Sequence, residues 1–416
     1  MRSRSRFPHS ITRWLLPAGA ATDARWVLAA RAVRAFADGC VALLLPAYLL
    51  ALGYSPLAIG SIITGTLVGS ALLTLTLGAL AHRFQRRALL SMACLLMLAT
   101  GMLFGAVTEF WPLLLVAFLG TINPTAGDVS VFLPLEHTVL SQSVGGAERT
   151  ALFARYSLIG SICGALGGLS AALPEQVAQI AALPDTAAMR VAFVVYGTFA
   201  LVALGFYRRL TSAVEATADA PAVALGPSKR IVLRLTALFC IDSFGSGFFV
   251  QSLLALWLYQ RFGLSIAMTA TILFWTSLCA AGSFLLAVPI SRRFGLINTM
   301  VFTHLPANFC LIALPFAPNL TVAIGLLLLR GLLAQMDVPT RNSYVMAVVT
   351  PAERPAAASA AAAPRSLAAA LSPMLAGYLF SLSPFGWPLV IGGSLKVLYD
   401  VLLLRGFRAV RPAEER

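Results

Sequence analysis

Residues 57–107 read LAIGSIITGTLVGSALLTLTLGALAHRFQRRALLSMACLLMLATGMLFGAV. Two apolar runs, 57–80 and 88–107, flank one short basic break, His82-Arg83-Phe84-Gln85-Arg86-Arg87. Each run has the length, about 20 residues, that crosses a bilayer as a helix rising about 1.5 Å per residue. The stretch therefore predicts two membrane spans joined by a basic loop.

The same alternation extends to both ends of the chain. Spans are expected near 26–52, 57–80, 88–107, 111–134, 149–173, 188–207, 231–259, 266–290, 297–316, 319–346, 356–382 and 386–405. Composition agrees with a membrane class. The chain is 59% hydrophobic and 11% charged, with a mean hydropathy of +0.86. A soluble domain carries about 25% charged residues. The net charge of +14 sits in short clusters between apolar runs, so it points to loops on one side of a membrane and not to a nucleic-acid partner.

The connections sort into two sets. One holds His82 to Arg87, Glu148-Arg149, Arg208-Arg209 through Lys229-Arg230, Arg292-Arg293, Glu353-Arg354 and the tail from Arg405. The other holds Gly53-Tyr54-Ser55-Pro56, Glu109, Glu175 to Asp185, Ala317-Pro318-Asn319 and Ser383-Pro384; Arg261 breaks its neutral-to-acidic character, and Arg190 sits at its edge. The basic set is expected in the cytoplasm, which puts both termini inside and the chain in a bacterial inner membrane. The N-terminal MRSRSRFPHSITRWLLPAGA is basic without a long apolar core or a cleavage site, and reads as a retained tail over 1–25. Residues 208–230 are polar and rich in Ala, Thr, Pro and Ser. They read as a flexible linker between a bundle at 26–207 and a second at 231–405, with a tail at 406–416.

An internal repeat supports that division. Gly53-x-Ser55 returns as Gly263-x-Ser265, Arg83-Phe84 as Arg293-Phe294, Asp128-Val129 as Asp337-Val338 and Ala147-Glu148-Arg149 as Ala352-Glu353-Arg354. The repeats run in the same sense, so the halves are related by an axis along the membrane normal.

With these features the chain resembles the major facilitator superfamily over essentially its whole length. The family's loop 2–3 motif is similar to G-x-L-A-D-R-x-G-R-R, and here it reads Gly78-Ala79-Leu80-Ala81-His82-Arg83-Phe84-Gln85-Arg86-Arg87. His82 stands where the family has Asp, and Gln85 where it has Gly. The latching role of that Asp is not carried over. The second copy, Ser291-Arg292-Arg293-Phe294-Gly295, also lacks the acid. Gly160 to Gly168 looks like the family's antiporter run, one residue short and with Ala165 in place of its Pro. Small residues at such spacing equally serve helix packing. The resemblance implies an all-α fold of twelve spans in two six-helix bundles, with spans 1, 4, 7 and 10 lining a central cavity.

Charges inside spans are costly, at about 2.5–3.5 kcal/mol each, and face protein or a polar cavity. Asp38 lies about 18 Å into span 1, and Arg34, at i,i−4, is its expected bridging partner. Asp242 lies about as deep in span 7. Together with Arg330 in span 10, these are the candidates for proton coupling or substrate contact. Arg330 has no carboxylate on its own face and calls for a partner from another span or an anionic ligand. Gating or inter-bundle roles are expected for Asp128, Glu136, Arg155, Asp337, Arg341, Arg365, Arg83 and Arg293, with Arg155 and Arg365 placed to reach Asp337 and Asp128. Asp337 and Arg341 share a face, as do Lys396 and Asp400, which read as a structural pair in span 12. Asn123-Pro124-Thr125-Ala126-Gly127-Asp128 breaks span 4, and broken backbone at this depth must be satisfied by protein or cavity water.

The six cysteines lie in apolar runs without a metal-binding spacing. Cys40 and Cys240 each sit two residues from a buried Asp, which leaves a soft metalloid as a minor substrate reading. His9, His82, His137 and His304 are scattered. No phosphate-binding loop, zinc-protease or serine-hydrolase motif is present, so neither enzyme nor cofactor is expected. The expected function is a monomeric secondary transporter exporting a small molecule against protons across the lipid bilayer. The alternatives are uptake of a small metabolite or anion, and a non-transporting receptor or scaffold.

Overall fold

The computed structural model describes residues 22–80, 84–125, 131–143, 146–215, 226–350 and 353–407. Among them every regular element is helical. The first half contains α1 (Thr22–Ala51), α2 (Pro56–Leu80), α3 (Arg86–Ala106), α4 (Phe110–Leu119), α5 (Phe132–Gln142), α6 (Gly146–Ser170), α7 (Leu173–Ala181) and α8 (Asp185–Tyr207). The second contains α9 (Lys229–Gly247), α10 (Gln251–Phe262), α11 (Ile266–Phe294), α12 (Leu296–Ala313), α13 (Leu320–Ala334), α14 (Asp337–Val348), α15 (Arg354–Leu382) and α16 (Trp387–Phe407). Nine helical stretches among the described residues are long and apolar enough to cross a membrane, and α4 and α13 are shorter apolar helices.

Three expected spans are not continuous helices. The span at 111–134 is met by α4 and α5, that at 231–259 by α9 and α10, and that at 319–346 by α13 and α14. Periodicity shows where apolar runs lie; it does not show where a run stops hydrogen-bonding to itself. At the first break Gly120 is extended and Asn123 Oδ1 accepts from the Thr125 amide at 3.0 Å. The Pro124 carbonyl, freed from any helix, accepts from the Ser252 amide at 3.2 Å. The break in span 4 is thus satisfied by the residue that follows the break in span 7, as backbone away from water demands.

Within the first half, α1 packs on α6 and α8, and α3 on α8. Within the second, α9 packs on α15 and α16, and α12 on α13, α14 and α16. The α1–α6 contact is backbone to backbone: a Cβ on Gly39 would strike the Gly164 carbonyl, and one on Gly167 the Phe36 carbonyl. The glycines that resemble an antiporter motif therefore serve close helix packing.

Across the halves α2 meets α15, α6 meets α11, and α1 meets α10. Gly60 and Gly377 let α2 and α15 touch, and the Met374 amide donates to Thr64 Oγ1 at 2.9 Å. Ser252 Oγ donates to Ala42 O at 2.6 Å, and the Tyr259 hydroxyl to Leu43 O at 3.1 Å. These contacts run from mid-molecule to the end that carries the Gly53 and Gly263 turns.

Candidate functional site

Each half buries one charged cluster. In the first, α1 supplies Arg34, α5 Glu136 and Phe132, α6 Tyr156 and α8 Tyr207. The Glu136 side chain is fully buried and pairs with Arg34 Nη2. It also accepts from the Tyr156 hydroxyl at 2.5 Å and the Tyr207 hydroxyl at 2.7 Å. Arg34 Nε donates back to the Tyr207 oxygen at 3.0 Å, and its guanidinium lies 3.9 Å over the Phe132 ring. Charge and lone pairs are satisfied within the bundle, the condition under which a buried pair is tolerated.

The expected Arg34–Asp38 bridge is corrected by this geometry: Arg34 turns Nη2 to Glu136 and Nε to Tyr207 on facing helices. Asp38 is buried beside Tyr196, whose hydroxyl donates to Thr121 O at 3.2 Å. Arg31 lies 4.9 Å over the Tyr156 ring.

In the second half, α9 supplies Asp242, α12 His304 and Asn308, α14 Asp337 and Arg341, and α16 Lys396 and Asp400. Asp242 Oδ1 is 2.5 Å from Lys396 Nζ and 3.8 Å from His304 Nε2, and its Oδ2 is 3.1 Å from Arg341 Nη1. Arg341 also meets Asp337 at 3.4 Å, as its i,i+4 spacing predicts. The expected Lys396–Asp400 pair is not made. Lys396 turns to Asp242, and Asp400 takes His304 Nδ1 at 2.9 Å and Asn308 Nδ2 at 3.0 Å. Span 12 therefore carries two members of the larger cluster.

The two clusters are charge-inverted copies. Glu136 follows the first residue of α5 by the same four positions by which Arg341 follows the first residue of α14. Arg34 and Asp242 sit at matching depth in α1 and α9. The first half joins span 1 to span 4 as Arg to Glu, and the second joins span 7 to span 10 as Asp to Arg.

The remaining expected residues are more scattered. Asp337 pairs with Arg341 and not with Arg155, and the Asp128 expected for Arg365 lies outside the described residues; Arg365 Nε donates to Ser243 Oγ at 3.3 Å, and its guanidinium shares the Phe239 ring with Arg341, at 5.6 and 5.5 Å. Arg155 Nη1 and Arg330 Nε are buried without a hydrogen-bond partner among the described residues. Arg330 lies 4.7 Å over Phe249, so an aromatic face stands where a carboxylate or a ligand was expected. Arg293 is exposed over Phe294. Asp128 and Arg83 lie outside the described residues.

Residues not picked from sequence complete the picture. Tyr156, Tyr207, His304 and Asn308 carry no motif or spacing of their own, and only their tertiary partners distinguish them. Two acids hold the described residues on either side of 216–225. Glu215 accepts from the Arg86 amide at 2.6 Å and the Arg87 amide at 3.1 Å, capping α3. Glu353 accepts from the Ser228 and Thr350 hydroxyls, both at 2.6 Å, and from the Gly226 amide. Those donors hold its carboxyl down at about 2. The repeated Ala-Glu-Arg triplet was the only sequence signal for Glu353.

A cavity of about 230 Å³ lies where α1, α8, α10 and α11 converge, lined by Leu50, Glu175, Asp185, Met189, Tyr259 and Ile266 among others. It shares no lining residue with either cluster.

Two helical bundles with broken spans and a buried charge cluster in each describe a polytopic membrane protein. The chain belongs to the Major Facilitator Superfamily, which it matches over residues 27–336. An uncharacterized membrane protein of Saccharomyces cerevisiae, YJR124C, is 24% identical over 94% of this chain and 95% of its own length. The fold is similar to that of the nucleoside transporter NupG, with a TM-score of 0.70, 14% identity, and coverage of 93% of this chain and 100% of that one. It is also similar to a bacterial homologue of the human lysosomal transporter Spinster in an inward-facing, occupied conformation, with a TM-score of 0.66, 16% identity, and coverage of 92% and 94%. At these identities the likeness establishes the fold, and membrane transport follows from the family.

Proposed function

We propose that this protein is a proton-coupled secondary transporter that exports a small molecule by alternating access, with Asp242 as the coupling carboxylate. The observation that carries the reading is the sharing of one buried carboxylate by Lys396 and Arg341. Protonating Asp242 removes the charge both cations face. Arg341 keeps Asp337, but Lys396 is left as a buried ammonium without a direct carboxylate. Breaking a buried pair costs about 3–5 kcal/mol, enough to invert an equilibrium between two access states a few kcal/mol apart. One proton on Asp242 is thereby converted into a preference between conformations.

The export direction rests on the glycine run of span 5 as a family resemblance. A second reading, an anionic solute, draws on Arg330, a cation over an aromatic ring with no carboxylate among the described residues. Asp38 is the second coupling candidate. We assign membrane bundles at 26–207 and 231–405, and on the loop charges place the linker at 208–230 and both termini on the cytoplasmic side, in a bacterial inner membrane.

The test is proton flux in proteoliposomes under an imposed pH step, read by an internal dye, with lipophilic cations, arsenite and small organic anions added in turn. Solute-driven flux in the wild type that is lost in Asp242→Asn and kept in Asp38→Asn supports the assignment. Flux retained in Asp242→Asn overturns it.

A further inference from the structure

Behind Asp242 stands a second carboxylate that the coupling step above does not use. His304 bridges the two: Nδ1 is 2.9 Å from Asp400 Oδ1, while Nε2 is 3.5 Å from Lys396 Nζ and 3.8 Å from Asp242 Oδ1. Asn308 occupies the other oxygen of Asp400 at 3.0 Å. All of these groups are buried.

The contacts choose the tautomer. Nδ1 faces an acceptor at a short distance, so it carries the proton. Nε2 faces the ammonium of Lys396, which can only donate, so it presents its lone pair. The opposite tautomer sets an N–H against the ammonium and a lone pair against the carboxylate. Asn308 Nδ2 also lies 3.1 Å from Nδ1, and its donation to Asp400 is compatible with the first arrangement. A carboxylate that fixes the tautomer of an imidazole and stabilises its charged form makes the far nitrogen a proton acceptor, as in other acid–histidine pairs.

We propose that His304, oriented by Asp400 and Asn308, is the proton acceptor for Asp242. This rests on the reading of Asp242 as the coupling group. A proton bound at Asp242 Oδ1 passes to Lys396 Nζ as Lys396 gives one of its own to His304 Nε2. One O–H bond and one N–H bond break, and one N–H bond forms at each of Nζ and Nε2. Asp242 ends as carboxylate, Lys396 as ammonium and His304 as imidazolium against Asp400. The imidazolium restores a counter-charge deep in the bundle, between α12 and α16, without moving the pair that faces α14. Other charges around the cluster are Arg341 with Asp337 on α14, Arg365 on α15, which shares the Phe239 ring with Arg341, and Arg330 on α13, which shares the Phe249 ring with Lys396, with Tyr399 edge-on to His304 at 6.0 Å. None of them offers Nε2 an acceptor.

The test needs no substrate. Nitrogen-15 histidine solid-state NMR is recorded on the full chain in liposomes, with His304→Asn used to assign its signals among the four histidines. The expected wild-type spectrum at neutral imidazole has Nδ1 protonated and Nε2 bare. Asp400→Asn is expected to mix the tautomers, adding an Nε2-protonated signal. Asp242→Asn, which removes the carboxyl 3.8 Å from Nε2, is expected to shift the Nε2 resonance. An Nε2-protonated ring in the wild type, or an Nε2 resonance unmoved by Asp242→Asn, overturns the proposal. Absence of solute-driven proton flux in the wild type strikes the coupling reading instead, and the NMR tautomer still decides the dyad.

Discussion

The two bundles solve one problem in opposite charges. Each must clamp the inner segment of a broken span to the helix beside it, and each does so with a buried ion pair, Arg34–Glu136 in the first and Asp242–Arg341 in the second. Around Glu136 the additional partners are phenols, which donate and stay neutral. Around Asp242 they are Lys396 and His304, which hold and release protons. The same geometry is a fixed brace in one half and a titratable junction in the other. Inversion also separates the halves: a span 1–span 10 mispairing sets Arg34 against Arg341, and a span 4–span 7 mispairing sets Glu136 against Asp242.

The contrast is broken most severely at Glu136. Glu136→Gln leaves the Arg34 guanidinium buried without a carboxylate, and a loss of about 3–5 kcal/mol is expected, read as a lowered unfolding temperature in detergent. Because arginine does not lose its proton, that loss is expected to be the same from pH 6 to pH 9. The charge swap Arg34→Glu with Glu136→Arg, in place of Glu136→Gln, is expected to lose less. Asp242→Asn is the matched experiment in the second half. Its loss is expected to be comparable at pH 6 and to shrink at pH 9, because lysine can discharge by deprotonation where arginine cannot. Equal pH dependence in the two variants defeats the distinction between brace and junction.

Smaller changes sharpen it. Tyr207→Phe removes a donor to Glu136 and an acceptor for Arg34, and about 1.5–3 kcal/mol is expected for hydrogen bonds to charged groups, again read thermally. The smallest effect is local to the linker. Glu353 is held at about 2 against an ordinary value of 4.5. A depressed carboxylate contributes stability that is full above its unfolded value and lost as pH falls through its folded one. Pepsin cleavage near Gly226 is therefore expected to rise as the wild type is taken from pH 4.5 towards 2. Glu353→Gln is expected to be cleaved readily throughout that range.

Much of the architecture was legible in the order of residues. Apolar run length and the repeated Asp-Val and Ala-Glu-Arg fragments carry class and repeat, because a bilayer imposes the same length and polarity on every crossing whatever its neighbours. The i,i+4 pair Asp337–Arg341 was legible for the same reason: it closes within one helix. Arg34–Asp38 and Lys396–Asp400 had the same spacing and were not made. A guanidinium or ammonium with a choice takes the carboxylate that aligns best and excludes most water, and that carboxylate lies on a helix about a hundred residues or more away in sequence. Spacing therefore determined which residues were buried and charged. Only the packing of α1 on α5 and of α9 on α16, with Arg341 reaching Asp242 from α14, decided who pairs with whom, since long-range electrostatic choice in a low-dielectric interior depends on ångströms that no linear pattern encodes.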